Sequence, residues 1–284
     1  MSAKPISFSQ SWNDRVAIAT SGGDAVYRWG GLPKACIHPL TTPAGHRLTG
    51  FEMSDHVWHR GIWFAIKLVN GTNFWEEHPP FGVQISVSDP VCEGLDRDRV
   101  RLLHLTRWDS EATGIAIDER RQITFGPGVI DWACELRAKQ DLTLDRTPYT
   151  TWGGYGGLSY RSARELHDVN FLLPNGDTVA SLAGQPHDWT VMQAAVDGAG
   201  PGHRVSIGMM DHPGNPRSPV PWYNKCGNGF NYMNAAFLFH EPMSVKRGDS
   251  LRFNYRIHYR DGQWSAGEFQ KLADEFRATK PNVS

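Results

Sequence analysis

The sequence predicts an all-β fold, a large two-sheet antiparallel β-sandwich with a C-terminal helix, and three observations carry that expectation. Short β-like runs recur with turn residues between them, 29 glycines and 18 prolines punctuate the 284 residues, and long apolar patterns of period 3.6 are scarce. The runs fall at 25–29, 62–69, 83–87, 99–108, 115–125, 129–137, 205–210, 236–240 and 251–259. The second, IWFAIKLV, reads as a buried strand. The fifth puts Ile115, Ile117, Glu119, Arg121 and Ile123 on one side and Ala116, Asp118, Arg120, Gln122 and Thr124 on the other, so one side is only partly apolar. Ser265-Ala-Gly-Glu268 forms a capping box ahead of Phe269, Leu272, Ala273 and Phe276, and it starts a helix expected to lie as a lid on one edge. No repeat, low-complexity tract or charge run divides the chain, and Asp197-Gly-Ala-Gly-Pro-Gly202 reads as an interstrand loop. A single domain over residues 1–284 is expected.

The formal net charge of -1 gives no basic excess, which argues against nucleic acid or an anionic membrane as partner. Cys36, Cys92, Cys134 and Cys226 lie far apart without CxxC spacing and read as free thiols. The opening MSAKPISFSQSWNDRV lacks the apolar core of a signal peptide, and no stretch has the length of a membrane span, so a cytoplasmic protein is expected. Arg247-Gly248-Asp249-Ser250 reads as a hairpin turn.

Three segments concentrate functional groups. In DHVWHRGIWF, residues 55–64, Asp55, His56, His59 and Arg60 sit in a loop feeding the apolar run. Histidine serves as acid or base near neutrality, and Asp55 could fix a tautomer. Caps on strand ends, or a metal held by His56, His59 and a distant carboxylate, are the other readings. Trp75, Glu76, Glu77 and His78 are expected at the far end of the same strand, roughly 26 Å away, and so outside the site. In the second segment, residues 210–222, four prolines stiffen a loop presenting Asp211, His212, Asn215, Arg217 and Trp222. In the third, TWGGYGGLSYR, the glycines are not followed by the ending of a phosphate loop and more plausibly permit a close backbone approach or a bulge, leaving Tyr155 and Arg161 facing a cleft; a plain aromatic edge strand is the alternative. Several of the eleven tryptophans, among them Trp29, Trp58, Trp63, Trp75, Trp152 and Trp222, lie in or beside these clusters, as sugar-binding proteins require of aromatic faces near hydrogen-bonding groups.

On these residues, together with Cys36-Ile-His-Pro-Leu-Thr-Thr-Pro-Ala-Gly45 and the strand 251–255, the chain resembles the PmoA-like family, whose members carry the label "methane oxygenase PmoA". The family motif reads Asp-His-x-His-His-Arg, and here Trp58 stands in place of the first paired histidine, which puts any chemistry at that position in question. A membrane oxygenase subunit needs apolar spans of about 20 residues, which this sequence lacks. The resemblance instead implies a β-sandwich protein of carbohydrate catabolism. Gly30-Gly31-Leu32-Pro33 and the His/Arg-Gly motif before an aromatic strand add a weaker likeness to galactose-mutarotase-type supersandwiches.

The expected function is acid/base proton transfer on a sugar or oxidised sugar, of mutarotase, epimerase or lyase type. His56 and His59 are the expected acid/base pair, with Asp211 or His212 opposite. Arg60, Arg161 and Arg217 would hold substrate oxygens with Tyr155 and Asn215, and Trp63 or Trp222 would stack on the ring. A metal-assisted glycoside hydrolase or lyase and a non-catalytic sugar-binding module are the alternatives. No nucleotide cofactor is expected, a divalent metal is left open, and so is homo-oligomerisation.

Overall fold

The computed structural model describes residues 7–11, 14–147 and 155–280. Among these residues the chain forms two large sheets, as expected, and their central pairs are antiparallel. The first runs Ser7–Ser11, Arg15–Thr20, Gly23–Arg28, Cys36–Leu40, Ile62–Ile66, Gly156–Arg161, Tyr232–Ala235, Pro221–Lys225 and Ser181–Pro186 in spatial order. The second runs Val83–Ser86, Val100–Asp109, Ile117–Gly126, Val129–Ala138, Ser250–Asp261, Arg204–Asp211, Trp189–Val196, Leu166–Leu172 and Thr178–Val179, with Val91–Gly94 alongside Val100–Asp109. The inner faces share one core, filled from the first sheet by Ile37, Ile62, Phe64, Leu158, Tyr160 and Met233, and from the second by Ile123, Trp132, Phe253 and Ile257.

The mixed face of the fifth run is in this core. Glu119 and Arg121 are fully buried there, paired at 2.8 Å, and the guanidinium lies 4.8 Å over Trp132. A paired charge can occupy a core position when its remaining donors and acceptors are met, and Trp108, Thr106, Tyr27 and Gln84 meet them.

Two expected runs are redrawn. The apolar run at 62–69 divides at Lys67: Ile62–Ile66 stays in the first sheet, while Leu68–Val69 turns into a four-stranded sheet with Thr72–Asn73, Leu142–Asp145 and Met243–Val245. At 236–240 the strand is instead Tyr232–Ala235, followed by a buried turn closed from the Phe239 amide to the Ala236 carbonyl, whose apolar side chains imitate a strand in sequence. The capping box forms, and the helix Ala266–Arg277 lies over the outer face of the second sheet rather than its edge, with Phe269, Ala273 and Phe276 against Leu172, Trp189 and Met210. A Cβ added at Gly208 would stand 2.2 Å from the Phe269 ring, so the helix reaches the sheet through a missing side chain.

Ile62–Ile66 is buried at every position. Ile62, Phe64 and Ile66 enter the intersheet core, while Trp63 and Ala65 enter a second cluster on the opposite face with Trp75, Tyr223 and Tyr232. A sandwich strand ordinarily gives one face to solvent, and the unbroken apolar run reflects a roof over this one.

Candidate functional site

The roof is built from the chain on either side of Ile62–Ile66. Before it, Phe51–Met53 and His56–Arg60 form a two-stranded hairpin, so His56 and His59 are on a strand rather than in a loop. Gly61, at φ +67, joins hairpin to sheet where any Cβ would lie 2.2 Å from the Ile37 carbonyl oxygen. After it, Asn70-Gly71, both at positive φ, reverse the chain in a tight hairpin between Leu68–Val69 and Thr72–Asn73. Residues 74–80 then return toward the histidines. Glu77 accepts from Lys34 at 2.8 Å and from Arg60 Nε at 3.0 Å, and Lys34 also donates to the Trp75 carbonyl at 2.8 Å. Burial lowers the Lys34 ammonium to about 8, against the pull of Glu77, and Lys34 and Arg60 hold Glu77 below its usual range although burial opposes them.

Trp75 and Glu76 therefore line the same cavity as the histidines, and the strand-length expectation that separated them is corrected by the reversal at Asn70-Gly71. The cavity measures about 180 Å³ and is walled by His56, Trp58, His59, Lys67, Trp75, Glu76, Thr147 and Tyr155. His59 is 3% exposed, its ring stacked against His56 at 4.6 Å and against Tyr232 at 5.2 Å. Its Nδ1 is buried with no hydrogen-bond partner among the described residues. Burial, then the neighbouring His56, Arg161 and Lys34, hold this imidazole well below its ordinary pKa, so it is neutral at pH 7. His56 is half-exposed and gives its Nδ1 to Asp55 at 2.9 Å; with the carboxylate accepting there, Nε2 is its free nitrogen. Asp55 is fixed in turn by Arg161 at 2.7 Å and Arg164 at 2.8 Å, and against partial burial His56 and Arg161 keep its carboxyl below the usual range. In the same cavity Lys67 pairs with Glu76, which also accepts from Asn73 at 2.9 Å, and Tyr155 stacks on Trp75 at 5.1 Å and 14°.

The structure brings His56, His59 and Tyr155 to one cavity, with Arg161 bound to the Asp55 that orients His56. Arg161 is fully buried, 4.2 Å over the Phe230 ring, on the strand Gly156–Arg161. That strand is central rather than an edge, and Gly157, at φ +108, provides the close approach expected of its glycines, since a Cβ there would stand 2.2 Å from the Ala235 carbonyl oxygen. Trp152, Gly153 and Gly154 lie outside the described residues.

The other expected contacts are committed elsewhere. Arg60, expected at substrate oxygens, braces the roof through Glu52 at 2.6 Å and Glu77. Trp63 is fully buried behind His59 and Trp75, and Trp222 is in the intersheet core with its indole N–H on the His187 carbonyl. Asp211 ends a strand of the second sheet and accepts from Asn215 at 2.7 Å and the Val220 amide at 3.0 Å; burial raises its carboxyl to about 7 against those bonds. The His212 ring accepts from the Gly214 amide and bonds the Thr279 carbonyl oxygen, Asn215 also holds Asn254, and Arg217 caps the carbonyls of Phe237, Glu241 and Pro242. The proline-rich loop thus turns its polar groups into its own framework, and Lys67 and Glu76 are the charged side chains that line the cavity with the histidines. Three metal-ligating atoms do not converge at His56 and His59 among the described residues.

A family profile described as "Family of unknown function (DUF6807)" matches residues 23–274; a methane oxygenase label is not part of that description. No curated protein matches the sequence. Among solved structures, a galactose mutarotase related enzyme from Lactobacillus acidophilus is similar at 8% identity over 90% of this chain and 97% of that one, with a TM-score of 0.42. An α-galactosidase from Geobacillus stearothermophilus in complex with raffinose is similar at 10% identity over 84% of this chain and 40% of that one, with a TM-score of 0.46. A heparan sulfate lyase mutant from Pedobacter heparinus is similar at 8% identity over 93% and 37%, with a TM-score of 0.43.

Proposed function

The chain belongs to the family of unknown function DUF6807, and from that premise we propose that it binds a single sugar ring in the roofed cavity and moves protons on it. The observation that carries the reading is the parallel His56–His59 stack at the cavity wall, one imidazole oriented by Asp55 and the other buried and neutral. Paired titratable groups in contrasting environments are how one site supplies both an acid and a base. His56 Nε2 takes a proton from a hydroxyl or an acidic C–H of the ring, and His59, uncharged, hydrogen-bonds the oxygen on which charge develops. The Lys67–Glu76 pair, lining the same cavity, returns a proton. Trp58, Trp75 and Tyr155 supply the apolar surface that the C–H faces of a sugar need.

At about 180 Å³ the cavity is smaller than the roughly 300–1,000 Å³ of drug-sized pockets, which suits one ring rather than a polysaccharide. No helix among the described residues is long and apolar enough to cross a membrane.

The test is proton NMR in deuterated water against a panel of aldoses, 3-keto sugars and sugar acids, following anomer exchange and loss of carbon-bound protons. Anomer exchange alone identifies a mutarotase, and carbon deuteration an epimerase or lyase. His56→Gln and His59→Gln should lose turnover by roughly 100-fold or more while sugar binding survives. Binding without turnover in the wild type would replace the enzyme with a sugar-binding module, and turnover untouched by both substitutions would remove the histidines from the chemistry.

A further inference from the structure

Away from the cavity, a turn of the first sheet meets the ends of two paired strands of the second. The turn after Cys36–Leu40 is closed by the Thr42 amide on the His46 carbonyl, and it carries His46. His203 directly precedes Arg204–Asp211, Asp261 ends Ser250–Asp261, and the two strands pair Val205 with Asp261. One ligand atom from each of His46, His203 and Asp261 lies within 4.8 Å of the other two.

Among the described residues the local bonding leaves the imidazoles unspent. The two imidazole centroids are 4.4 Å apart, and His203 Nε2 is buried without a hydrogen-bond partner among the described residues, 3.6 Å from Asp261 Oδ1 and so beyond hydrogen-bond reach. The carboxylate, by contrast, is already oriented, with the Thr42 hydroxyl donating to Oδ1 at 2.7 Å and the Ala44 amide to Oδ2 at 3.0 Å. Outer-shell bonds of this kind fix a ligating carboxylate and keep its remaining lone pairs free.

We infer that His46, His203 and Asp261 form a site for a borderline divalent cation of the zinc class. Two imidazoles and one carboxylate suit Zn²⁺, Ni²⁺ or Cu²⁺ and do not suit Mg²⁺, which prefers an all-oxygen shell. Bonds of about 2.0 Å place tetrahedral ligands roughly 3.3 Å apart, so side-chain rotations of about an ångström close the set. All three side chains are partly exposed, which lets the ion enter and leaves a further position for water or an exogenous ligand. The ion fastens the turn of one sheet to the strand ends of the other.

Calorimetric titration of the tag-free full chain with ZnCl₂, and with MgCl₂ as a control, tests the site, alongside thermal melts with and without Zn²⁺. One equivalent of Zn²⁺ should bind and raise the Tm, and Mg²⁺ should do neither. His46→Gln/His203→Gln should weaken Zn²⁺ by more than the roughly 10–100-fold that loss of an outer-shell partner brings, with the metal-free Tm nearly unchanged because both rings are partly exposed. No Zn²⁺ binding, or binding that survives the double substitution, would overturn the inference and leave His203 and Asp261 as a loose ion pair.

Discussion

The imidazoles of His56 and His59 lie 4.6 Å apart and 18° from parallel, one half-exposed and the other 3% exposed. Asp55 holds the outer ring by Nδ1. Asp55→Asn can present its amide N–H in place of an acceptor, which frees the ring to adopt the other tautomer. Turnover on the active sugar should fall by roughly 10–100-fold with KM nearly constant, because orientation of the base is lost while the aromatic walls stay. A rise in KM at constant kcat would make Asp55 a binding group.

Acid should destabilise the fold through its buried histidines. Burial lowers His59 well below 6.5, His104 to about 3 and His38 and His258 to about 4, so the unfolded chain takes up protons below about pH 6.5 that the folded chain refuses, and stability falls as pH falls. Asp211, raised to about 7, opposes this with one proton bound in the folded state. Four histidines less one aspartate leave about three net protons, a slope of roughly 4 kcal/mol per pH unit near pH 5. Urea midpoints measured from about pH 7 down to about pH 5 should decline, and His104→Gln should flatten the decline by about one proton; constant midpoints would contradict the burial of these rings.

Glu119→Gln leaves the fully buried Arg121 charged without its counter-ion and should cost about 3–5 kcal/mol in urea unfolding. Replacing the pair by Leu and Met should cost less than the single change. Equal losses would show that packing, rather than the stranded charge, sets the penalty.

Gly208→Ala drives a methyl into the Phe269 ring and should cost about 1–3 kcal/mol by lifting the helix. Phe269→Leu introduced with it should recover part of that loss. A double-mutant cycle that is simply additive would refute the contact.

Periodicity and turn residues make the sandwich and its closing helix readable, because alternation and a capping box are local. Arg15–Thr20, Leu166–Leu172 and Trp189–Val196 are strands that those signals do not mark. For the cavity, residue chemistry singles out His56, His59 and Tyr155, which line it, while strand length alone misplaces Glu76. Asn70-Gly71 is the available signal, since an Asn-Gly pair between apolar residues marks a two-residue hairpin and hence a reversal. Asp211, His212 and Arg217 look the same in sequence whether they meet a ligand or their own loop. Only the three-dimensional partners, the Val220 amide, the Thr279 carbonyl and the carbonyls of 237–242, distinguish the two.

Among the described residues, the cavity's walls other than Thr147 and Tyr155 come from residues 56–76. The shape of the cavity is therefore set largely by one short cassette flanking a single strand, anchored to the rest of the chain through Lys34, Arg161 and Arg164. Insertions and deletions in residues 51–60 and 70–80, on either side of that strand, would remodel what fits the cavity while the sandwich beneath stays intact, and these flanks are the natural unit for exchange between relatives.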